Sequence, residues 1–474
     1  MLFRHSAIYF VGRLIPALLN LLGLALYTRL MSTAAYGQYA LVITSAGIVS
    51  GVMFQWVSLG MERYLPDERS SQSALISTAV LTYAALLLFS AVCGMLAFWA
   101  VPDGPISQLI LLTLTVTWAQ AWFDLSQRVA NSRFAAVLFG AMGALKAGLA
   151  LSLGAMFLCW FNFGVPGLVA AQVIGLVVGS MLIKKYWRAI SIVHFEWSIL
   201  RSFLQYGAPR IVSFAMIYVI DASDRYLIGW YMGMTDVGTY APAYDLAQQS
   251  IGMLMGIVHL AAFPLAVKVL SQNNMEAVNA QIRQNGLLLL LISLPATVGI
   301  VLLADNITSL MFGGAFLRGS GNIMAIVAVG VFFAGLRSYY FDYSFHLSRQ
   351  GKGQLVVFGS AALSNIVLNL ILIPKLGLEG AAIATVVAFA VSMLVSWYLG
   401  HKVFPLPSFH PEIPKVVAAT SLMAVVLLLL RGWTGAFGLA GQIFVGMVVY
   451  GLALLVMNVA GTRAKLHSTY LSKG

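Results

Sequence analysis

Apolar residues in this chain fall in long blocks of roughly twenty or more, rather than alternating with charge every few positions. A block of that length crosses a hydrocarbon core of about 30 Å at 1.5 Å per residue. Fourteen blocks can be read, at about 10–30, 38–60, 74–100, 106–126, 134–161, 164–183, 205–231, 239–267, 285–304, 322–345, 354–373, 378–400, 413–431 and 436–460. Pro16, Pro209, Pro242, Pro264 and Pro295 lie within blocks as candidate kinks. Membrane helices tolerate such residues when neighbouring groups satisfy the freed backbone. The pattern predicts an all-α integral membrane protein with about fourteen transmembrane helices.

Composition strengthens that reading and removes the alternatives outside the membrane. Hydrophobic residues make up 60% of the 474 and charged residues 9%, with a mean hydropathy of +0.90. A soluble chain of this length needs far more charge to cover its surface. Cys93 and Cys159 both sit inside apolar blocks, so no disulfide framework is expected and no Cys/His cluster has zinc spacing. The chain is expected to carry no cofactor. Arg4 precedes an apolar stretch with no small-residue cleavage site after it, which reads as a retained first helix.

The placement of basic residues orients the spans. With the N-terminus in the cytoplasm, nineteen Lys and Arg fall on the cytoplasmic side, among them Arg63, Arg128, Lys184, Lys185, Arg283, Lys352 and Lys402. Only Arg29, Arg318, Lys375 and Arg431 fall opposite. This bias predicts a multi-pass protein of a bacterial inner membrane with both termini cytoplasmic. The net charge of +12 then reflects topology and affinity for anionic lipid headgroups rather than nucleic-acid binding. Every loop is short, and the longest, about 184–204, is on the cytoplasmic side.

The chain also repeats itself. Gly37-Gln38-Tyr39-Ala40 recurs as Gly238-Thr239-Tyr240-Ala241, Arg13 matches Arg210, and Gly167-Leu168-Val169-Ala170-Ala171 has a counterpart in Gly380-Ala381-Ala382-Ile383-Ala384. The order is kept and the offset is nearly constant. Six helices separate the copies, an even number, so the two halves share one orientation: a parallel repeat of the kind found in several transporters. The expected organisation is a six-helix lobe over 1–185, a linker at 186–204, a second six-helix lobe over 205–400, and two further helices with a cytoplasmic tail over 401–474.

Four basic residues remain inside helices: Lys146, Arg210, Arg225 and Arg337. Such groups cost about 2.5–3.5 kcal/mol or more facing lipid, so they must face protein, water or a ligand. On the seventh block, Arg210, Asp221, Asp224 and Arg225 share one stripe about 100° wide at 100° per residue. Asp221 and Arg225, four apart, can neutralise each other, or the stripe can line a cavity. Lys146 has no acidic residue one turn away and needs a partner from another helix. Arg13 gains interest from its repeat-mate Arg210, although anchoring at the interface explains it equally. Asp342, His346 and His259 read first as packed or interfacial groups. The excess of cations within helices favours an anionic substrate, for which arginine offers a bidentate fork and lysine a point charge.

Catalytic signatures are missing from the sequence. Gly351-Lys352 is followed by Gly353 instead of the Ser or Thr of a nucleotide-binding loop, and there is no GxSxG or HExxH. The chain is not expected to be an enzyme.

At the seventh and eighth blocks the residues resemble a known family. Asp224-Arg225-Tyr226-Leu227-Ile228-Gly229, Val237-Gly238-Thr239-Tyr240 and Tyr244-Asp245-Leu246 are similar to the corresponding signature of polysaccharide flippases. Thr28-Arg29-Leu30-Met31 and Tyr36-Gly37-Gln38-Tyr39-Ala40 resemble that family's opening helices. These are the Wzx-type members of the multidrug/oligosaccharidyl-lipid/polysaccharide (MOP) superfamily, and a count of fourteen helices resembles the MurJ branch. The resemblance implies a MATE/MurJ-like fold and a flippase for an undecaprenyl-diphosphate-linked oligosaccharide, working by alternating access. It implies contact of Arg210, Arg225, Lys146, Arg337 and Arg13 with substrate, and charge tuning or coupling by Asp221 and Asp224. Membrane lipids, a polysaccharide polymerase and assembly proteins are the implied partners. The alternatives are a cation-coupled drug exporter of the MATE type, a membrane polysaccharide polymerase or ligase, and a non-transporting scaffold.

Overall fold

The computed structural model describes residues 2–66, 71–100, 104–133, 135–187, 192–272, 274–348 and 350–461. Arg69, Arg188, Arg349, Arg463, Lys465 and Lys473, six of the nineteen basic residues assigned to the cytoplasmic side, lie outside the described residues. Among the described residues the regular structure is helical throughout.

The helices are α1 (Leu2–Leu30), α2 (Thr33–Met53), α3 (Gln55–Tyr64), α4 (Gln72–Ala100), α5 (Pro105–Ser132), α6 (Ala136–Cys159), α7 (Gly164–Met181), α8 (Trp197–Tyr231) and α9 (Met234–Leu270). They continue with α10 (Met275–Met311), α11 (Ser320–Leu336), α12 (Tyr343–Ser348), α13 (Lys352–Val403), α14 (Ile413–Leu429) and α15 (Gly435–Val456). Local chemistry sets several of the starts. Ser32 and Asn274 accept the Ala35 and Ala277 N–H groups as N-caps, and Gly319 takes φ +75° to enter α11.

Among the described residues, eleven helices are long and apolar enough to cross a membrane. The bent pair α2 and α3, turned by 51° at Phe54, adds a twelfth. The 17-residue α14 is a shorter apolar helix. The 52-residue α13 is two helices joined at Gly377, where φ is +62°. Asn365 bonds Thr385 across the join at 3.5 Å, although twenty residues of straight helix would part them by about 30 Å. The arms of α13 are therefore folded back on each other. Counted this way, the helices are compatible with the fourteen expected crossings.

The chain forms two compact units, Met1–Gly238 and Thr239–Gly474. In the first, α6 packs between α1 and α7, α5 adjoins α2, α3 and α7, and α8 lies against α2, α3 and α4. The seventh-block helix α8 thus packs with the first unit, and α9 runs across the division. Lipid offers helices no hydrophobic incentive to associate, so small residues and close packing carry the contacts. Gly12 and Gly140 bring α1 and α6 within backbone contact, since a Cβ on Gly12 would lie 2.9 Å from the Gly140 Cα. Gly175 and Gly179 do the same for α7 over α6 and α5. Trp56, Phe123, Met142, Leu176 and Phe203 fill the core between them.

In the second unit, α10 and α11 pack together, α11 lies on α13, and α14 and α15 dock on α10. The Tyr450 hydroxyl donates to the Leu291 carbonyl at 2.8 Å, and Asn306 donates to Gln442 Oε1 at 2.9 Å. Outward faces are apolar: α4 presents Leu88, Phe89, Val92 and Leu96 away from the protein. A soluble protein could not leave such a face uncovered; a lipid-facing helix must.

Candidate functional site

The first unit gathers a set of polar residues from α2, α5, α6 and α8. On α6, Lys146 lies where α7 crosses closely, because a Cβ on Gly175 would come 2.6 Å from the Lys146 carbonyl oxygen. That approach fixes the lysine backbone and sends its side chain to α5. There the ammonium donates to Gln120 Oε1 at 3.5 Å and lies 5.3 Å from the centre of the Phe123 ring. Gln120 Nε2 in turn donates to Asp124 Oδ1 at 2.7 Å. Lys146 and Asp124 are in electrostatic reach of each other, so the partner that Lys146 required is a carboxylate one helix away.

The set extends to α8. The Tyr218 hydroxyl is in electrostatic reach of both Asp124 and Asp221. Its ring lies against Gly51 of α2, at a point where any added Cβ would strike it. One turn further on, Asp224 is 0% exposed and accepts the Arg225 backbone N–H at 2.9 Å. The Arg225 Nη1 donates to Thr44 Oγ1 of α2 at 2.9 Å, and Tyr226 shares a 2.5 Å hydrogen bond with Ser45. Asp221 is half-buried. The upper part of the α8 stripe is therefore seated on α2.

Arg210 belongs to the same stripe but does not join these groups. Eleven residues separate it from Asp221, about 16 Å along the axis. Its side chain folds back, donating to the Tyr206 carbonyl at 2.5 Å with the guanidinium 4.0 Å from that ring's centre. Arg210 is exposed, as is Arg13 on α1. A shared helical face sets direction but not proximity, which separates these two from the lysine set.

The second unit has its own polar interior. Arg337 opens a π-turn over Arg337–Phe341, a widened helical turn that often marks a functional position. Its Nη2 donates to Ser338 Oγ at 2.7 Å and its guanidinium lies 4.9 Å from the centre of the Phe358 ring. Arg337 Nε is buried with no hydrogen-bond partner. Asp342 ends the turn, 3% exposed, accepting from Ser396 Oγ at 2.6 Å and in electrostatic reach of Arg337. His259 stacks with Phe263 at 5.1 Å and approaches Tyr339 at 5.0 Å, while His346 meets the edge of Phe263. In α13, Asn369 donates to Asn365 at 3.0 Å within the first arm, and Asn365 donates to the Thr385 hydroxyl of the second.

Sequence reasoning missed Asp124, Gln120, Thr44 and Ser396. A signal existed for the first two: Asp124 is the single charged residue of the apolar block 106–126, with the Gln120 amide four residues before it. Thr44 and Ser396 carry none, because hydroxyls recur throughout membrane helices and only packing reveals which accept from a charge. Among the described residues no group of three His, Cys, Asp or Glu could hold a metal ion.

Long apolar helices in two compact units define a multi-pass membrane protein, and its fold is similar to that of solved transporter structures. The solved structure of the lipid II flippase MurJ in an inward closed conformation covers 95% of this chain and 99% of its own at TM-score 0.77 and 17% identity. An inward-facing multidrug transporter of the MATE family covers 83% of this chain and 97% of its own at TM-score 0.65 and 17% identity. The chain belongs to the polysaccharide biosynthesis protein family, whose model matches residues 26–320. A Shigella flexneri protein named as an O-antigen transporter is 22% identical over 83% of this chain and 96% of its own length. A Thermotoga maritima protein named as a lipid II flippase, MurJ, is 31% identical over 176 residues, 36% of either chain. The match thus spans about a third of the Thermotoga relative.

Proposed function

We propose that this protein is a flippase that moves an undecaprenyl-diphosphate-linked oligosaccharide from the cytoplasmic to the outer leaflet for exopolysaccharide or O-antigen assembly. The observation that carries the reading is Lys146, a cation held inside apolar helices by Gln120 and Asp124. An ammonium at that depth is costly unless something uses it. A diphosphate headgroup is the ligand for which a point charge, supplemented by arginine forks, is suited. The polar tract from Lys146 through Tyr218 to Asp221 supplies the headgroup path, while the prenyl chain stays in lipid.

The lobes 1–185 and 205–400, joined by the linker 186–204 and followed by two helices from 401, alternate access by moving against each other. Arg210, Arg337 and Arg13 contact the anionic substrate at other stages of its passage, and Arg225 holds it with Asp221 and Asp224 tuning the charge. The protein lies in the inner membrane with both termini cytoplasmic, a reading supported by the excess of Lys and Arg on that side. It performs no covalent chemistry and hands its cargo to a polysaccharide polymerase and assembly proteins.

The test is translocation of a fluorescent lipid-linked oligosaccharide in proteoliposomes, with Lys146→Ala and Arg210→Ala beside the parent. Both variants are expected to reach the membrane normally and to lose translocation. Normal translocation by both overturns the assignment of these charges. A parent protein that exports cationic dyes and leaves the lipid-linked sugar in place overturns the flippase itself.

A further inference from the structure

A cavity of about 210 Å³ opens in the second unit where the π-turn, the end of α13 and the 404–412 strap meet. Tyr340 and Phe341 of the π-turn form its floor, Trp397 and His401 of α13 one wall, and Pro407 and Phe409 of the strap the other. The strap is latched: the Tyr340 hydroxyl donates to the Pro407 carbonyl at 3.4 Å, and Phe409 stacks on Tyr340 at 5.1 Å with the rings 16° from parallel. The lining is aromatic and aliphatic except for Tyr340, Ser344, His401 and Ser408, and no carboxylate belongs to it.

Two cations neighbour lining residues, Arg283 within electrostatic reach of Tyr340 and Lys402 next to His401 in α13. Arg283, on α10, is exposed. Lys402 donates to the Tyr398 hydroxyl at 2.9 Å with its ammonium 4.2 Å from the centre of that ring. Trp397 is 56% exposed and Tyr398 57%, the amphipathic aromatics that settle at headgroup level. An apolar hollow with cations and exposed amphipathic aromatics near its lining is complementary to a lipid whose acyl chain meets protein and whose headgroup is anionic.

We propose that this cavity binds an anionic glycerophospholipid of the cytoplasmic leaflet, with its phosphate between Arg283 and Lys402 and its upper acyl chain against Trp397 and Phe409. The leaflet rests on the orientation given above; the binding does not rest on the transported cargo. Because Tyr340 and Phe341 belong to the turn that begins at Arg337, an occupied cavity braces the segment that carries this arginine. The chemistry makes the membrane's anionic lipid a ligand of the second unit.

The test uses the full chain in detergent micelles, titrated with phosphatidylglycerol or phosphatidylcholine brominated on the upper acyl chain, with tryptophan fluorescence as readout. Brominated phosphatidylglycerol is expected to quench a component that Trp397→Phe removes. In Arg283→Gln/Lys402→Gln, half-quenching should need about fivefold more lipid for each charge removed. Equal quenching by phosphatidylcholine, or quenching unchanged by Trp397→Phe, overturns the proposal. Relief of the quenching by equimolar undecaprenyl phosphate assigns the cavity to the carried lipid and equally overturns it. Size-exclusion profiles matching the parent establish that each variant is folded. Since no transport is measured, failure here is distinct from failure of the flippase reading.

Discussion

Gly37 and Gly238, matched positions of the sequence repeat, fill the space that each other's side chain would need. A Cβ on Gly37 would lie 2.9 Å from the Gly238 nitrogen, and one on Gly238 would lie 3.1 Å from the Gly37 nitrogen. Each would also strike the carbonyl four residues before its partner, that of Met234 or Thr33. The contact is reciprocal, as expected where two copies of one pattern meet about a local two-fold relation.

Gly37→Ala and Gly238→Ala should therefore each cost about 1–3 kcal/mol, because the new methyl meets backbone that cannot rotate away. The double variant should lose less than the two together, since one methyl already opens the crossing that both need closed. Thermal unfolding of purified protein in detergent measures all three. Strict additivity would show that the two glycines do not share a contact.

Lys146 and Asp124 should behave as a unit. Asp124→Asn or Lys146→Gln alone leaves the other group's charge within the helices, a loss of about 1.5–3 kcal/mol. The double change Asp124→Asn/Lys146→Gln should regain most of that stability and still fail to export polymer. Membrane abundance and surface polysaccharide, measured in the same cells, separate the two effects. Export restored by the neutral pair would remove the lysine from the substrate path.

Arg225→Lys tests whether the fork matters. A lysine keeps the charge but cannot hold the planar geometry that places Nη1 on Thr44 Oγ1. The translocation rate should fall about tenfold, the equivalent of one charged hydrogen bond. Thr44→Val, which removes the acceptor and keeps the volume, should fall by a similar factor. A normal rate in Thr44→Val would show that the bond holds nothing functional.

Much of this arrangement could be read from the residues alone, for identifiable reasons. Block length and the scarcity of charge dictated helices that cross a bilayer, and the Gly37 motif marked an internal repeat without foretelling that its two copies touch. Lys146 could be picked out because a lone ammonium must find a partner. Its partner Asp124 could not be assigned, since periodicity places a side chain on a face without saying which helix packs there. Arg210 shows the converse: it shares a stripe with Asp221 and folds onto Tyr206 instead. The π-turn at Arg337–Phe341 also escaped notice, because one extra residue in a helical turn leaves no compositional mark. The short α14 and the fold-back in α13 show why counting apolar blocks and counting long helices give different numbers.

Ser396 should matter for stability out of proportion to its size. Its hydroxyl donates to the buried Asp342 carboxylate at 2.6 Å, so Ser396→Ala should cost about 1.5–3 kcal/mol. Ser392→Ala, a turn earlier on the same arm, removes a hydroxyl that donates only to its own helix at the Phe389 carbonyl and should cost well under that. Denaturation midpoints in detergent compare the two, and equal losses would mean that Asp342 gains nothing from Ser396.

The sharp reversal of α13 at Gly377 bears on how the protein is made. Its two arms leave the ribosome with a single left-handed glycine between them and no loop to hold one outside while the other waits. The bond from Asn365 to Thr385 joins the arms and would be missing if either entered alone, while Asn369 would keep Asn365 and Thr385 the Ala381 carbonyl. Insertion of both arms as one hairpin keeps that bond made throughout, and a tag or protease site placed at Lys375 is expected to lower membrane abundance rather than merely report its side.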